Sequence, residues 1–401
     1  MKPQHVALTD KRYIIPFILI TLLFFLWGFA RSILDVLNKH FQNELAISVT
    51  QSGWIQVTTY LGYFLMAIPA GLVINRWGYR RGVVVGLLLF GLGALSFIPG
   101  AAIGTFHAFL VALFMIGCGL TFLETAANPY VTELGAKETA TSRLNLSQSF
   151  NGMGNIFATF LVGQFLFSGE NESGNVVIPY TILGICVLFI ALVFSRVQLP
   201  EIVHTEDEQQ ESGWHKLGEL WKHKNFVVGL IALLGYEVAE ISINSYFINF
   251  VTGQGWMTDN AASIVLTAGL AFFMIGRFGG SWLMRRVAAE RMLLVCAVGS
   301  IVCMLLILLD IRPLSLTALI LNYVFEAIMF PTIFSLALTH MRHLTKIGSS
   351  LLMMTPIGGC GFLLMGYIAD ETNWVLPFIV PLIGYLPVLF FSVMRNRRTV
   401  K

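Results

Sequence analysis

FLETAANPYVTELG, residues 122–135, and VFEAIMFPTIFSLA, residues 324–337, each place a glutamate five residues before a proline inside an apolar stretch, and the two glutamates lie 202 positions apart. Two more pairs keep the same order. NGMGNIFATFLVGQF (151–165) and PIGGCGFLLMGYIAD (356–370) share a Gly-rich start and a later glycine, and GLVINRWGYRRG (71–82) and GSWLMRRVAAER (280–291) both end an apolar run in Gly-x4-Arg. Three matches in one order indicate an internal duplication. Parallel repeats of six membrane spans, with a ligand held at the repeat interface, are a recurring transporter architecture.

Apolar windows of about 20 residues, the length a helix needs to cross a bilayer, number twelve. They fall at roughly 13–38, 53–75, 82–104, 107–134, 143–167, 178–197, 225–252, 260–284, 291–310, 313–341, 347–369 and 375–395, called spans one to twelve below. The long polar interruption at 198–224 divides them six plus six. The sequence therefore predicts an all-α polytopic membrane protein with an N-terminal bundle at 1–200, a linker at 201–224 and a C-terminal bundle at 225–401. Within the linker, Trp214–His223 reads as an amphipathic segment lying at the membrane surface.

Composition agrees. The chain is 56% hydrophobic and 12% charged, about half the charge of a soluble domain, and its mean hydropathy is +0.76. Too few charges are present to cover a soluble enzyme of this size. A net charge of +3 also gives no footprint for nucleic acid. If the N-terminus lies inside, the inside loops collect most of the 25 basic residues and the outside loops hold only Lys39 and Arg312. By the positive-inside rule both termini are cytoplasmic and the chain is a multi-pass protein of the cytoplasmic (inner) membrane.

No enzyme chemistry is legible. The five cysteines lie in apolar runs without CxxC or Cys/His spacing, so no metal site is expected. There is no GxxxxGK[ST] phosphate loop, no HExxH helix and no Ser/His/Asp set. No cofactor is expected beyond a coupling proton.

GLVINRWGYRRG resembles the loop between spans two and three of the major facilitator superfamily, with Asn75 where that family has aspartate. RYIIPF (12–17), FLETAANPYV (122–131), SRLNLSQSFN (142–151), IGRFGGSWL (275–283), PTIFSLAL (331–338) and IGSSLLMMTPIGG (347–359) are similar to the fucose/glucose/galactose sugar–proton symporter branch over nearly the whole chain. The resemblance implies the major-facilitator fold of two pseudo-symmetric six-helix bundles. It also implies proton-coupled import of a monosaccharide, L-fucose or a related hexose, by alternating access.

Ionisable side chains at bilayer depth are expensive and mark pathways or pairs. A carboxyl taken into low dielectric without a cation favours its protonated form. The resemblance assigns proton coupling to Glu124, set in a polar island with Thr121, Thr125 and Asn128, and to Asp35. The alternative for each is a hydrogen bond to a neighbouring helix. Arg31 precedes Asp35 by one helical turn, where the branch's fucose carriers have a neutral amide. It either binds sugar hydroxyls or pairs with Asp35 as a gate, which would leave Glu124 alone as the proton carrier. Arg277, near the cytoplasmic end of span eight, reads as architectural.

Sugars need donors, acceptors and flat apolar faces. Suitable side chains are Asn128 on span four, Gln148 and Asn151 on span five, Glu240 and Asn244 on span seven, and Asn322 and Glu326 on span ten. Helix-to-helix bonding is the competing role for these amides, and for Glu326 a structural pair. In span seven, Glu237, Glu240 and Asn244 are spaced as one polar stripe, with Glu240 resembling the glucose/galactose members. The expected partners are a monosaccharide, a proton and the lipid bilayer, with no nucleic acid, and the protein is expected to be a monomer. Alternatives are a glucose/galactose or N-acetylhexosamine carrier, an uncoupled facilitator, and a non-transporting sugar sensor, which would call for a longer cytoplasmic segment than this chain offers.

Overall fold

A computed structural model of the 401-residue chain describes residues 9–135, 140–167, 176–197, 218–284, 287–339, 341, 344, 348 and 351–399. Among the described residues the regular structure is helical, and eleven helices are long and apolar enough to cross a membrane. They cover every expected span except the eleventh. There, 347 and 349–350 lie outside the described residues, Gly348, Leu351 and Leu352 are helical, and a 3-10 segment, Thr355–Cys360, leads into an α-helix, Gly361–Glu371. The departure from a continuous helix has a local cause. Pro356 cannot donate a backbone hydrogen bond, and Gly358, Gly359 and Gly361 favour irregular backbone. Of the amphipathic linker segment, 214–217 lie outside the described residues, Gly218–Leu220 are helical, and Trp221 is exposed.

Large apolar side chains stand exposed along the spans, among them Ile18, Leu65, Phe189, Leu305 and Phe390. On a soluble protein such a belt would drive aggregation. On spanning helices it is the face that meets lipid.

The chain packs as two compact units, Met1–Ile33 with Leu61–Thr205, and Leu34–Tyr60 with Glu206–Lys401. In the first unit, spans two and three run as one helix, Trp54–Leu95, interrupted at Gly78 with φ 81° and ψ 165°. Only glycine adopts that backbone without steric penalty, so Gly78 makes the turn between the two spans. Two residues later Arg80 donates to the carbonyl oxygens of Phe194 and Ser195 at the end of span six (Val177–Arg196). A cation at a helix C-terminus satisfies orphan carbonyls and opposes the negative end of the dipole.

In the second unit span seven (Lys224–Gly253) is the central element, with every residue from Ile241 to Val251 buried. At one end Arg395 donates to Glu290 at 3.4 Å and to Asn225 at 3.2 Å, joining the ends of spans seven, nine and twelve. At the other end the Asp370 carboxylate accepts from the backbone N–H groups of Val49 (3.2 Å) and Thr50 (2.8 Å) and from the Thr50 hydroxyl (2.5 Å). These N–H groups open a short helix, Val49–Ser52, so Asp370 sits where helix geometry leaves donors unpaired and the dipole favours an anion. Asp259 makes a second tie, accepting from Asn43 at 2.6 Å and facing Lys39 at 3.9 Å. Residues 34–60 thus pack as part of the second unit, although in sequence they precede the linker by more than a hundred positions.

Candidate functional site

The first unit holds Glu124 on span four (Phe106–Glu133), 8% exposed. One turn on, Asn128 donates to the Glu124 backbone carbonyl at 3.2 Å, and its amide oxygen accepts from Gln148 of span five at 3.3 Å. The structure therefore brings Asn128 and Gln148 together beside the carboxyl-bearing turn, both half-buried. Asn151 instead donates to the Phe24 carbonyl of span one at 3.1 Å, the helix-to-helix role. That bond is possible because the two backbones nearly touch. A methyl group on Gly154 would meet the Phe25 carbonyl oxygen at 2.1 Å, and one on Gly28 would meet the Asn151 carbonyl at the same distance. Arg31 also belongs to this unit and is half-buried.

Asp35 belongs to the second unit, 7% exposed. Its carboxylate accepts from the Ser245 hydroxyl at 2.9 Å, and that hydroxyl accepts from the Gln56 amide at 2.7 Å. The result is a relay, Gln56 to Ser245 to Asp35, joining spans two, seven and one. Neither Ser245 nor Gln56 stood out in the sequence, since a lone serine on an apolar helix usually bonds its own backbone. Asn38, three residues after Asp35, was missed as well. It is fully enclosed and neither of its amide atoms has a hydrogen-bond partner. Buried amides are nearly always satisfied, so the signal was an asparagine one turn from a carboxyl in an apolar run.

On span seven, Asn244 donates to Glu240 at 3.0 Å, so the expected polar spacing makes a real contact. The stripe lies on a helix that becomes fully buried from Ile241 to Val251. Glu237 is buried at 1% and Glu240 is half-buried. Span ten encloses Asn322 and Glu326, both 0% exposed. The Tyr385 hydroxyl of span twelve donates to Glu326 Oε1, and Asn322 donates to Tyr385 at 3.1 Å. Tyr385 is a further residue that sequence reading did not single out. A phenol inside an apolar span usually needs a polar partner, and that was the available clue.

Span ten is interrupted just after Glu326. Helix Arg312–Glu326 ends there and Met329–Ala337 follows. Ala327 (φ −52°, ψ −37°) and Ile328 (φ −102°, ψ −6°) stay right-handed, so hydrogen bonding lapses without a loop. Pro331 explains the lapse, because it lacks the N–H that would bond the Ala327 carbonyl. The vacated acceptors are met from the side. Arg277 Nε donates to the Ala327 carbonyl at 3.1 Å, and Tyr236 donates to the Glu326 carbonyl at 3.4 Å. Arg277 reaches in because span eight presents glycines here; a Cβ on Gly280 would meet Ile328 at 2.3 Å and one on Gly276 would meet Val324 and Ala327 at 3.0 Å. The architectural expectation for Arg277 is thus realised on a backbone carbonyl.

Comparison with known proteins follows the same lines. The major facilitator superfamily model matches residues 20–360. A glucose/galactose transporter of Brucella abortus is 34% identical over 98% of this chain and 98% of its own length. An L-fucose-proton symporter of Escherichia coli is also 34% identical, over 96% of this chain and 92% of its own. A crystal structure of the major facilitator transporter FucP in the outward conformation aligns with a TM-score of 0.74 at 33% identity, covering 96% of this chain and 99% of that one. With its duplicated helices, its Gly78 turn and these full-length matches, the chain belongs to the major facilitator superfamily, a family of transporters, alongside L-fucose-proton symporters and glucose/galactose transporters.

Proposed function

We propose that the protein imports a monosaccharide together with a proton by alternating access, the sugar being L-fucose or a related hexose such as glucose or galactose. The observation that carries this reading is the pair of enclosed carboxyls, Asp35 and Glu124, each beside amide groups, in a chain whose full-length relatives include an L-fucose-proton symporter and a glucose/galactose transporter. Enclosing a carboxyl costs far more when it is charged than when it is protonated, so closure around bound sugar and uptake of a proton are linked. By linkage, a sugar that prefers the protonated carrier also makes the proton bind more tightly. Glu124 and Asp35 are proposed as proton-coupling groups. Arg31, Asn128, Gln148, Asn151, Glu240 and Asn244 are proposed as sugar contacts. Asn322 and Glu326, enclosed and joined through Tyr385, complete the proposed set of sugar contacts.

The reading includes the cytoplasmic membrane as the site, both termini inside, a monomer in the bilayer, and no cofactor beyond the proton. The bundles at 1–200 and 225–401 with the linker 201–224 are its proposed working halves.

The test is uptake of labelled L-fucose, D-glucose, D-galactose and N-acetylglucosamine into proteoliposomes with and without an imposed pH gradient, acid outside. One of these sugars accumulates above equilibrium only with the gradient, and Glu124→Gln loses accumulation by about a hundredfold while retaining measurable exchange. Equilibration of every sugar without gradient-driven accumulation would overturn the proton-coupled reading.

A further inference from the structure

Glu326 is a buried carboxyl of span ten to which the proposed function gives no part in moving the proton. It is fully enclosed, its Oε1 accepts from Tyr385, and its Oε2 has no hydrogen-bond partner. Among the described residues no ion pair to it is found within 4.0 Å. The polar groups around it come from every neighbouring helix. Span seven contributes Tyr236, Glu237 and Glu240. Span eight contributes Arg277, placed by its bond to the Ala327 carbonyl. Span nine contributes Cys303, span twelve Tyr385, and span ten itself Asn322 and Tyr323.

A permanent anion with a bare buried oxygen and a second carboxyl nearby is a costly arrangement. A carboxylic acid tolerates it far better. The residue also sits at the last helical position before the lapse in span ten, where the backbone is held by side chains from two other helices. A change of charge there acts on a spanning helix whose hydrogen bonding is already interrupted.

We propose that Glu326 is a proton-carrying group of the transport cycle, positioned by Tyr385 and Asn322, in addition to Glu124 and Asp35. In the structure described it is the neutral acid. When the bundle opens, the carboxyl releases its proton from Oε2 to water and becomes the carboxylate, and it regains a proton from water on the other side. The Tyr385 hydroxyl stays bonded to Oε1 in both states and sets how readily the proton leaves. The proposal rests on the proton-coupled reading for its role in transport, but the protonation itself can be tested separately.

Two measurements decide it. Infrared difference spectra of the purified wild-type protein across a pH titration should contain a protonated-carboxyl C=O band that Glu326→Gln removes and Tyr385→Phe moves. In proteoliposomes, with the sugar that wild type accumulates, Glu326→Gln should lower gradient-driven accumulation at least about tenfold more than it lowers sugar counterflow. Tyr385→Phe should displace the pH midpoint of accumulation, a change that loss of packing alone would not give. If the Glu326→Gln protein does not fold, the wild-type and Tyr385→Phe spectra carry the test. A band that neither titrates nor moves, or accumulation that falls only in step with counterflow, overturns the proposal. If wild type accumulates none of the sugars, the sugar-import reading falls, while the infrared titration still decides whether Glu326 exchanges a proton.

Discussion

Span four and span ten carry the same glutamate-to-proline spacing, yet they solve the proline differently. Span four runs unbroken as one helix, Phe106–Glu133, through Pro129. Span ten lapses at 327–328, and its open carbonyls are taken by Arg277 and Tyr236. The neighbouring contacts differ too. In the first unit, spans one and five meet backbone to backbone at Gly28 and Gly154, while around span ten the helices are joined through long side chains. The same Glu-x4-Pro pattern thus runs on as continuous helix in span four and is interrupted and held by side-chain donors in span ten.

This contrast can be broken at three points, in decreasing order of effect. Gly154→Val puts side-chain atoms where the Phe25 carbonyl oxygen lies, and should cost roughly 3 kcal/mol or more by forcing spans one and five apart. The expected result is little monodisperse protein in detergent, and a normal elution profile would show the contact to be soft. Arg277→Leu leaves the Ala327 carbonyl without its side-chain donor and should cost about 1–3 kcal/mol, read as a lowered melting temperature. Lysine at this position should fall between, because it keeps the charge but not the Nε geometry. Tyr236→Phe removes a long, weak bond to the Glu326 carbonyl and should cost no more than about 1 kcal/mol. If Tyr236→Phe is as damaging as Arg277→Leu, the idea that Arg277 is the main support of the break is wrong.

Much of the architecture was legible before any coordinates. Hydropathy located the spans, because a span's length follows from bilayer thickness, and eleven of them recur as helices long and apolar enough to cross a membrane. In the eleventh span apolar content marked the stretch but said nothing of whether Pro356 and three glycines leave a continuous helix. For the polar residues, sequence spacing found pairs within one helix, as Glu240 with Asn244. It could not find pairs across helices. Ser245 with Asp35, Tyr385 with Glu326 and Arg277 with the Ala327 carbonyl each depend on which faces meet, and the facing residues are 210, 59 and 50 positions apart in sequence. Asn151 shows the same limit from the other side: its type suited sugar, and its Nδ2 bonds a helix backbone.

The tie between Asp370 and the start of the Val49–Ser52 helix has a consequence for dissecting the chain. A fragment beginning after the polar linker would contain the whole second repeat and still lack residues 34–60, leaving Asp370 and Asp259 without the N–H groups, the asparagine and the lysine that they hold. The unit of duplication and the unit of packing are therefore different objects. Severing the protein at its linker would cut across its cohesion, because residues 34–60 pack with the part that follows the cut.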